Sequence, residues 1–344
     1  FVYMQFSSDT GNYPAVNMMN KLDVIRIPVA GALIGFRDVL AGLSTSVADC
    51  LAASPELKKF AFFIEEQLQL RAKQMSREEE ELALDLSRSG GQLWGRLQES
   101  VSSSLTAVWD KKEKSVKTVT ELRSLASDPD RQVRKKAFDL EQGLWDSMKV
   151  PLAFSINGVK GFSVVLNKRR RYASTLDRSL FQARINRPVL EALTGAMQDS
   201  LPDFRRYFRA KAALLGLPCL AFYDIFAPLP GKPKKWGFAK AEEFILAQFG
   251  AFSPDLADFT RKAFAEGWID AAPRAGKVGG AYCISLPVRK ESRVLCNFNE
   301  TFSAVTTVAH ELGHAWHHHL LKDAAAVHRD YPMTLAETAS IFSE

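Results

Sequence analysis

The stretch Thr307-Val308-Ala309-His310-Glu311-Leu312-Gly313-His314-Ala315-Trp316-His317 constrains this chain more than any other. It reads as an apolar helix carrying H-E-x-x-H. At ~3.6 residues per turn, His310 and His314 stack on one face, and Glu311 is rotated by about 100° beside them. Two imidazoles one turn apart can hold a zinc ion, and the adjacent carboxylate can reach a water on that metal. Catalytic zinc needs a third protein ligand and an open position. Glu337 is the expected third ligand, in the apolar stretch 335–340 that follows His314 after a gap of 22 residues. The pattern therefore predicts one Zn²⁺ per chain, held by His310, His314 and Glu337. Glu311 is then the general base, taking a proton from the attacking water and passing it to the leaving amine. The reaction class is hydrolysis of an amide bond without an acyl-enzyme.

Weaker candidates surround this set. His317 lies at i+3 from His314, on the same face, and suits a supporting or packing role behind the ligands. Glu344 follows Glu337 by seven residues and is a candidate acceptor for a ligand imidazole, a partner that metal sites usually require. His318 and His319 turn away and are expected on the surface. Gly313 leaves room for close backbone approach. All six histidines lie between His310 and His328, which confines histidine chemistry to that region.

Composition excludes several other classes. A chain of 344 residues is long enough for two or three domains. Its 47% apolar and 24% charged residues are ordinary for a soluble globular protein. The net charge of +6 is spread out. The densest basic cluster, residues 168–171, reads as a solvated helix end, and no nucleic-acid motif is present, so no nucleic-acid partner is expected. The longest apolar run, residues 27–36, falls short of the ~20 residues that cross a bilayer. It reads as a buried helix, and no membrane partner is expected. Four scattered cysteines (Cys50, Cys219, Cys283, Cys296), with no C-x-x-C pair and no secretory signal, suggest the cytoplasm.

Along the chain, residues 14–43 read as a buried helical pair. Ser54-Pro55-Glu56 opens a helix through residue 75. Ser76 and Glu79 have capping-box spacing for a helix that stops near Gly90-Gly91. A small hairpin is expected at 105–119, and Ser127-Asp128-Pro129 caps a long helix that Pro151 kinks or breaks. Helices are also expected from Arg187-Pro188 to Gly216 and from Ser253-Pro254 to Gly267. A glycine-rich turn, 276–280, leads into strands at 281–288 and 293–298 that run into the H-E-x-x-H helix. A hairpin edge there can take an extended peptide as an added strand; the alternative is a paired, covered edge. The peptide-binding candidates are Gly279, Gly280, Ala281, Cys296, Asn297 and Phe298. Cys283 and Cys296 are near-diagonal neighbours, too far apart for easy bridging, so free thiols are expected.

The segments 309–317 and 336–344 together resemble the oligoendopeptidase F branch of the thimet-oligopeptidase-like zinc peptidases. Gly267-Trp268-Ile269-Asp270, Pro273-Arg274-Ala275-Gly276-Lys277, Phe222-Tyr223-Asp224-Ile225-Phe226-Ala227-Pro228 and residues 127–134 are similar to family segments as well. The resemblance implies a mainly α fold with two helical lobes around a channel, and cleavage of short oligopeptides. It supports zinc ligation by His310, His314 and Glu337 and a basic role for Glu311. Residues 1–175 would be the N-terminal lobe, and 176–344 the first part of the catalytic domain. Family members continue past the glutamate helix with histidine and tyrosine side chains that stabilise the oxyanion. A further C-terminal segment of the same protein is therefore expected, and a metal-retaining but inactive peptide-binding protein is the alternative.

Overall fold

Side-chain caps start most of the longer helices, and the computed structural model describes residues 1–231 and 234–344. Helices α1 (Val2–Ser8), α2 (Tyr13–Gly42), α3 (Ser44–Ala53), α4 (Pro55–Lys58), α5 (Ala61–Lys73), α6 (Arg77–Ser87) and α7 (Leu93–Ser104) come first. Strands β1 (Thr106–Asp110) and β2 (Ser115–Thr118) form the expected antiparallel hairpin. Then follow α8 (Val119–Ser124), α9 (Arg131–Ser147), α10 (Lys149–Arg169), α11 (Thr175–Ala183), α12 (Arg187–Leu214), α13 (Phe238–Phe252) and α14 (Pro254–Ala265). The last part holds β3 (Ile269–Asp270), β4 (Tyr282–Leu286), β5 (Glu291–Leu295), α15 (Phe302–Leu320), α16 (Met333–Ala336) and α17 (Thr338–Ser343). The chain is mainly helical, with a small sheet beside the H-E-x-x-H helix, as the sequence predicts.

Several local expectations are met through named contacts. Ser76 and Glu79 close the capping box reciprocally. Ser54 and Ser253 each accept a backbone N–H of the first turn that follows, with proline at the first helical position. Cys283 lies opposite Val294, so Cys296 is its diagonal neighbour, and both thiols are free.

Other expectations are corrected. Residues 14–43 are not a buried pair but part of one helix, α2, which runs through Pro28 and buries only Ala15, Met19 and Ile34. Ile25, Val29, Leu33 and Val39 are exposed. Apolar content sets what a helix gains from burial and does not supply the surface that covers it. The helix opened by Ser54 ends at Lys58 and restarts at Ala61. Gly90 and Gly91 do not stop a helix. A π-helical turn, Arg88–Gln92, joins α6 to α7, and the two glycines admit the Phe162 ring, which a Cβ on either would meet at 2.9 or 3.2 Å. The cap of α9 is Asp130, which accepts from Gln132 N. Residues 168–171 end α10 but do not simply face solvent. The Arg170 fork donates to Glu80 at 3.0 and 2.6 Å, and Arg169 donates to Glu79.

The largest apolar core lies around α15. Val305, Val308, Leu312 and Ala315 pack with Ile245 and Phe249 of α13, Leu256 and Phe259 of α14, and Trp268, Cys296 and Phe298, which flank β3 and β5. At 25–30 cal/mol per Å² of apolar area, this burial makes α15 a rigid platform. The sheet order is β3-β5-β4. Sequence reading missed β3, whose two residues pair parallel to β5. Its presence makes β5 the central strand. Val294 N, Cys296 N and Phe298 N donate to Trp268 O, Asp270 O and Ala271 O, each at 2.9 Å. Strand β5 is thus paired on both sides and cannot take an added strand, and the edge of the hairpin is β4.

Buried ion pairs tie distant segments together. Asp224 is fully buried and accepts from Arg131, Arg134 and Ala221 N, which fastens the aromatic 222–226 connection to α9. Residues 7–10 lie against the glycine-rich turn: Val278 N donates to Ser7 O and Thr10 N to Gly276 O.

Candidate metal centre

Thr301 accepts Ala304 N and caps α15, fixing where the helix starts and so which way its ligand face points. His310 and His314 sit one turn apart with ring centroids 4.9 Å apart. Glu337 is not inside a continuous helix, as expected, but at the break between α16 and α17 (φ −87°, ψ 1°). The break brings its Oε2 to 3.1 Å from His310 Nε2 and 3.3 Å from His314 Nε2. Three ligand atoms of His310, His314 and Glu337 all lie within 4.8 Å of one another, the cluster of this kind among the described residues. Tetrahedral zinc with bonds of ~2.0–2.2 Å separates its ligand atoms by roughly 3.4 Å, so these residues fit the ion.

Glu311 is 4% exposed. Burial, reinforced by the charge of Glu337 and opposed by His310, pushes its carboxyl up to about 7. Its Oε2 is buried without a hydrogen-bond partner. An orphaned buried carboxylate oxygen beside a ligand cluster suits a site that receives a further polar group. Ser340 donates to Glu337 Oε2 at 2.7 Å and, ahead of the nearby histidines, lowers the Glu337 carboxyl. Burial lowers His314, keeping the neutral imidazole that a metal requires.

Gly313 is where α15 and α17 touch. A Cβ there would lie 2.5 Å from Ser343 Oγ, 2.6 Å from Ala339 O and 2.8 Å from Ser340 Cα. Only glycine permits that approach, and Glu337 reaches the histidines because of it.

The secondary candidates separate. Glu344 Oε1 lies 2.7 Å from His310 Nδ1. His317 does not join the cluster: its ring stacks on Tyr331 at 4.5 Å between centroids. The expectation of surface positions for His318 and His319 is corrected. His318 is enclosed beneath the hairpin, with Nε2 3.0 Å from Tyr331 Oη and Nδ1 3.3 Å from Ser292 Oγ. His319 stacks on Trp316. A helix emerging under a hairpin buries residues that helical periodicity alone assigns to the outside.

The peptide-binding candidates are scattered over one turn and one strand end. Gly280, Ala281, Cys296, Asn297 and Phe298 line a cavity of about 420 Å³ that also touches Thr120, Ser124, Asn299, Ser303 and Thr307. Gly279 faces α8, where a Cβ would meet Thr120 Oγ1 at 3.2 Å. Cys296 is buried, and the Asn297 amide is spent on Val278 O and Gly280 O. Sequence reading missed Lys277. It is 2% exposed, and its ammonium donates to Cys296 O, Asp270 O, Asp270 Oδ1 and Ala272 O. A lysine in a glycine-rich turn carries no signal of burial until its acceptors are assembled. Tyr331, Ser292 and Thr307 were missed for the same reason.

Residues 247–344 match the model of peptidase family M3, and residues 43–106 match that of oligopeptidase F. The resemblance read from the motifs is supported by these matches and by similarity to proteins named oligoendopeptidase F. The chain is 30% identical over 226 residues to an oligoendopeptidase F homolog of Lactococcus lactis subsp. lactis, covering 64% of this chain and 37% of that protein. It is 27% identical over 302 residues to the group B oligopeptidase PepB of Streptococcus agalactiae, covering 86% and 49%. The chain thus spans half or less of the length of these relatives. Its fold is similar to that of PZ peptidase A crystallised with an inhibitor (TM-score 0.75, 17% identity, 92% of this chain and 54% of that one). It is also similar to oligoendopeptidase-F from Enterococcus faecium (TM-score 0.64, 17% identity, 98% and 56%). Among the described residues, no helix is long and apolar enough to cross a membrane.

Proposed function

We propose that this chain is part of a cytoplasmic, zinc-dependent endopeptidase that hydrolyses short oligopeptides, with 1–175 as an N-terminal lobe and 176–344 as the start of the catalytic domain. The observation that carries the reading is the convergence of His310 Nε2, His314 Nε2 and Glu337 Oε2 beside the unpartnered Glu311 carboxylate. His310, His314 and Glu337 would hold one zinc ion. When bound, zinc supplies Lewis acidity that makes water a nucleophile at neutral pH and polarises a carbonyl.

The chain's own residues do the rest. Glu311 accepts the proton of the attacking water at its free oxygen and delivers it to the departing amine, a role worth ~10²–10⁴-fold. Its burial poises the carboxyl near neutrality and so favours both directions of transfer. Glu344 holds His310 through Nδ1, which leaves Nε2 for the metal. The cavity lined by Gly280, Ala281, Asn297, Phe298 and Ser303 also includes Thr307, one helical turn before His310, and is the place proposed for an extended peptide. Four unpaired cysteines are compatible with a reducing compartment.

Glu311→Gln tests the mechanism: the variant should keep about one zinc per chain and lose peptide hydrolysis, and full activity would sink it. A second reading is a metal-retaining peptide binder without turnover. Zinc uptake by the unsubstituted chain with no cleavage of a mixed peptide pool would select it.

A further inference from the structure

Glu337 belongs to an otherwise irregular strap. A 3₁₀ turn, Ala326–His328, precedes it, and only the four-residue α16 intervenes before the break. On the side of α15, Tyr331 stacks on His317 and bonds His318. The other side of the strap is tied to the end of α11 and, through Phe60, to the N-terminal half. Arg184 Nη1 donates to Asp330 O at 3.2 Å, Thr334 Oγ1 donates to Ala183 O at 2.6 Å, and the His328 ring lies on Phe60. Arg184 is itself gripped by α5: its guanidinium forks onto Glu66 at 2.7 and 3.0 Å and lies over the Phe62 ring.

The backbone of Arg184 adds an independent observation. It ends α11 in the left-handed region, φ +53°, a position that favours glycine. Arg184 is one of five described non-glycine residues at positive φ, and its side chain bonds Glu66 and Asp330. His310 and His314 stand on α15, which the core locks. Glu337 stands on the strap, so its place depends on what holds the strap.

We infer that Arg184 is a positioning residue for the metal centre, latching the Glu337 strap to α5 so that the third ligand is preorganised. The inference rests on the reading of His310, His314 and Glu337 as a metal site. It also makes metal affinity depend on a helix of the N-terminal half.

Zinc affinity of the full chain, measured by competition with a chromogenic chelator, tests the latch. Arg184→Ala and Arg184→Gly should each weaken binding about 10-fold, the scale on which supporting contacts act in metal sites. Arg184→Lys should recover part of the loss, since it keeps the charge but not the fork. Arg187→Ala removes a pair with Asp177 that does not touch the strap and should leave affinity unchanged. Arg184→Gly separates the latch from the cap: it relieves the left-handed backbone, so its zinc-free melting temperature should not fall below that of Arg184→Ala. Affinities of both variants within threefold of the unsubstituted chain would overturn the inference. Hydrogen exchange of strap amides 328–337 in the metal-free protein gives a second readout and should rise in Arg184→Ala. If the unsubstituted chain takes up no zinc, the metal reading falls by itself, and unchanged strap exchange would then overturn the latch.

Discussion

His310 Nδ1 and Glu344 Oε1 lie 2.7 Å apart across 34 residues of sequence. The contact orients the imidazole so that Nε2 faces Glu337. Glu344→Ala should weaken zinc binding about 10-fold. The low end of the ~10–100-fold range applies because the Glu344 side chain is 44% exposed. Competition titration checks this, with one zinc per chain retained at saturation.

Gly313→Ala puts a methyl group where Ser343 Oγ and Ala339 O already stand. The expected outcome is a loss of ~1–3 kcal/mol, as for other overpacked contacts. Zinc affinity should fall as well, since α17 must retreat and carry Glu337 with it. Chemical denaturation and metal content together read the two effects.

Asp270 pairs with Arg274 and with the buried Lys277, and the Arg274 hydrogen bond leads in holding its carboxyl near about 2. A folded value below the ordinary ~3.9 means that the stabilisation is present above pH 4 and is lost as pH falls toward 2. Asp270→Asn should cost near the low end of ~3–5 kcal/mol at pH 7, since Asp270 is a third exposed while Lys277 is left without its counter-charge. The gap in urea midpoint between variant and unsubstituted protein should narrow at pH 3.

Burial, with the charges of His317 and His314, lowers His318 to about 4. The unfolded chain, at ~6.5, then binds the extra proton first, so native stability falls as pH drops from 6.5 to 4. His318→Asn should flatten that dependence in the metal-free protein, read as the slope of the unfolding midpoint against pH. A slope equal to that of the unsubstituted chain would contradict the half-buried, neutral imidazole.

Much of the candidate site was legible in the chain itself. Helical periodicity places His310, His314 and Glu311 relative to one another, because a helix is a local structure with one repeat. Cap residues such as Ser76 and Ser253 announce helix starts for the same reason, since each bonds a backbone group two or three residues away. The class of fold followed from these local signals and from the resemblance.

Tertiary structure alone decided the rest. Whether 293–298 offers an edge depended on β3, two residues too short to carry a strand pattern. The buried Lys277 and the half-buried His318 look like surface residues until Asp270, Cys296, Ser292 and Tyr331 are brought beside them from elsewhere in the chain. Glu337 meets the histidines because Gly313 admits α17 and because the strap is held from both sides. Local periodicity sets which residues share a face; only packing between segments distant in sequence sets what that face meets.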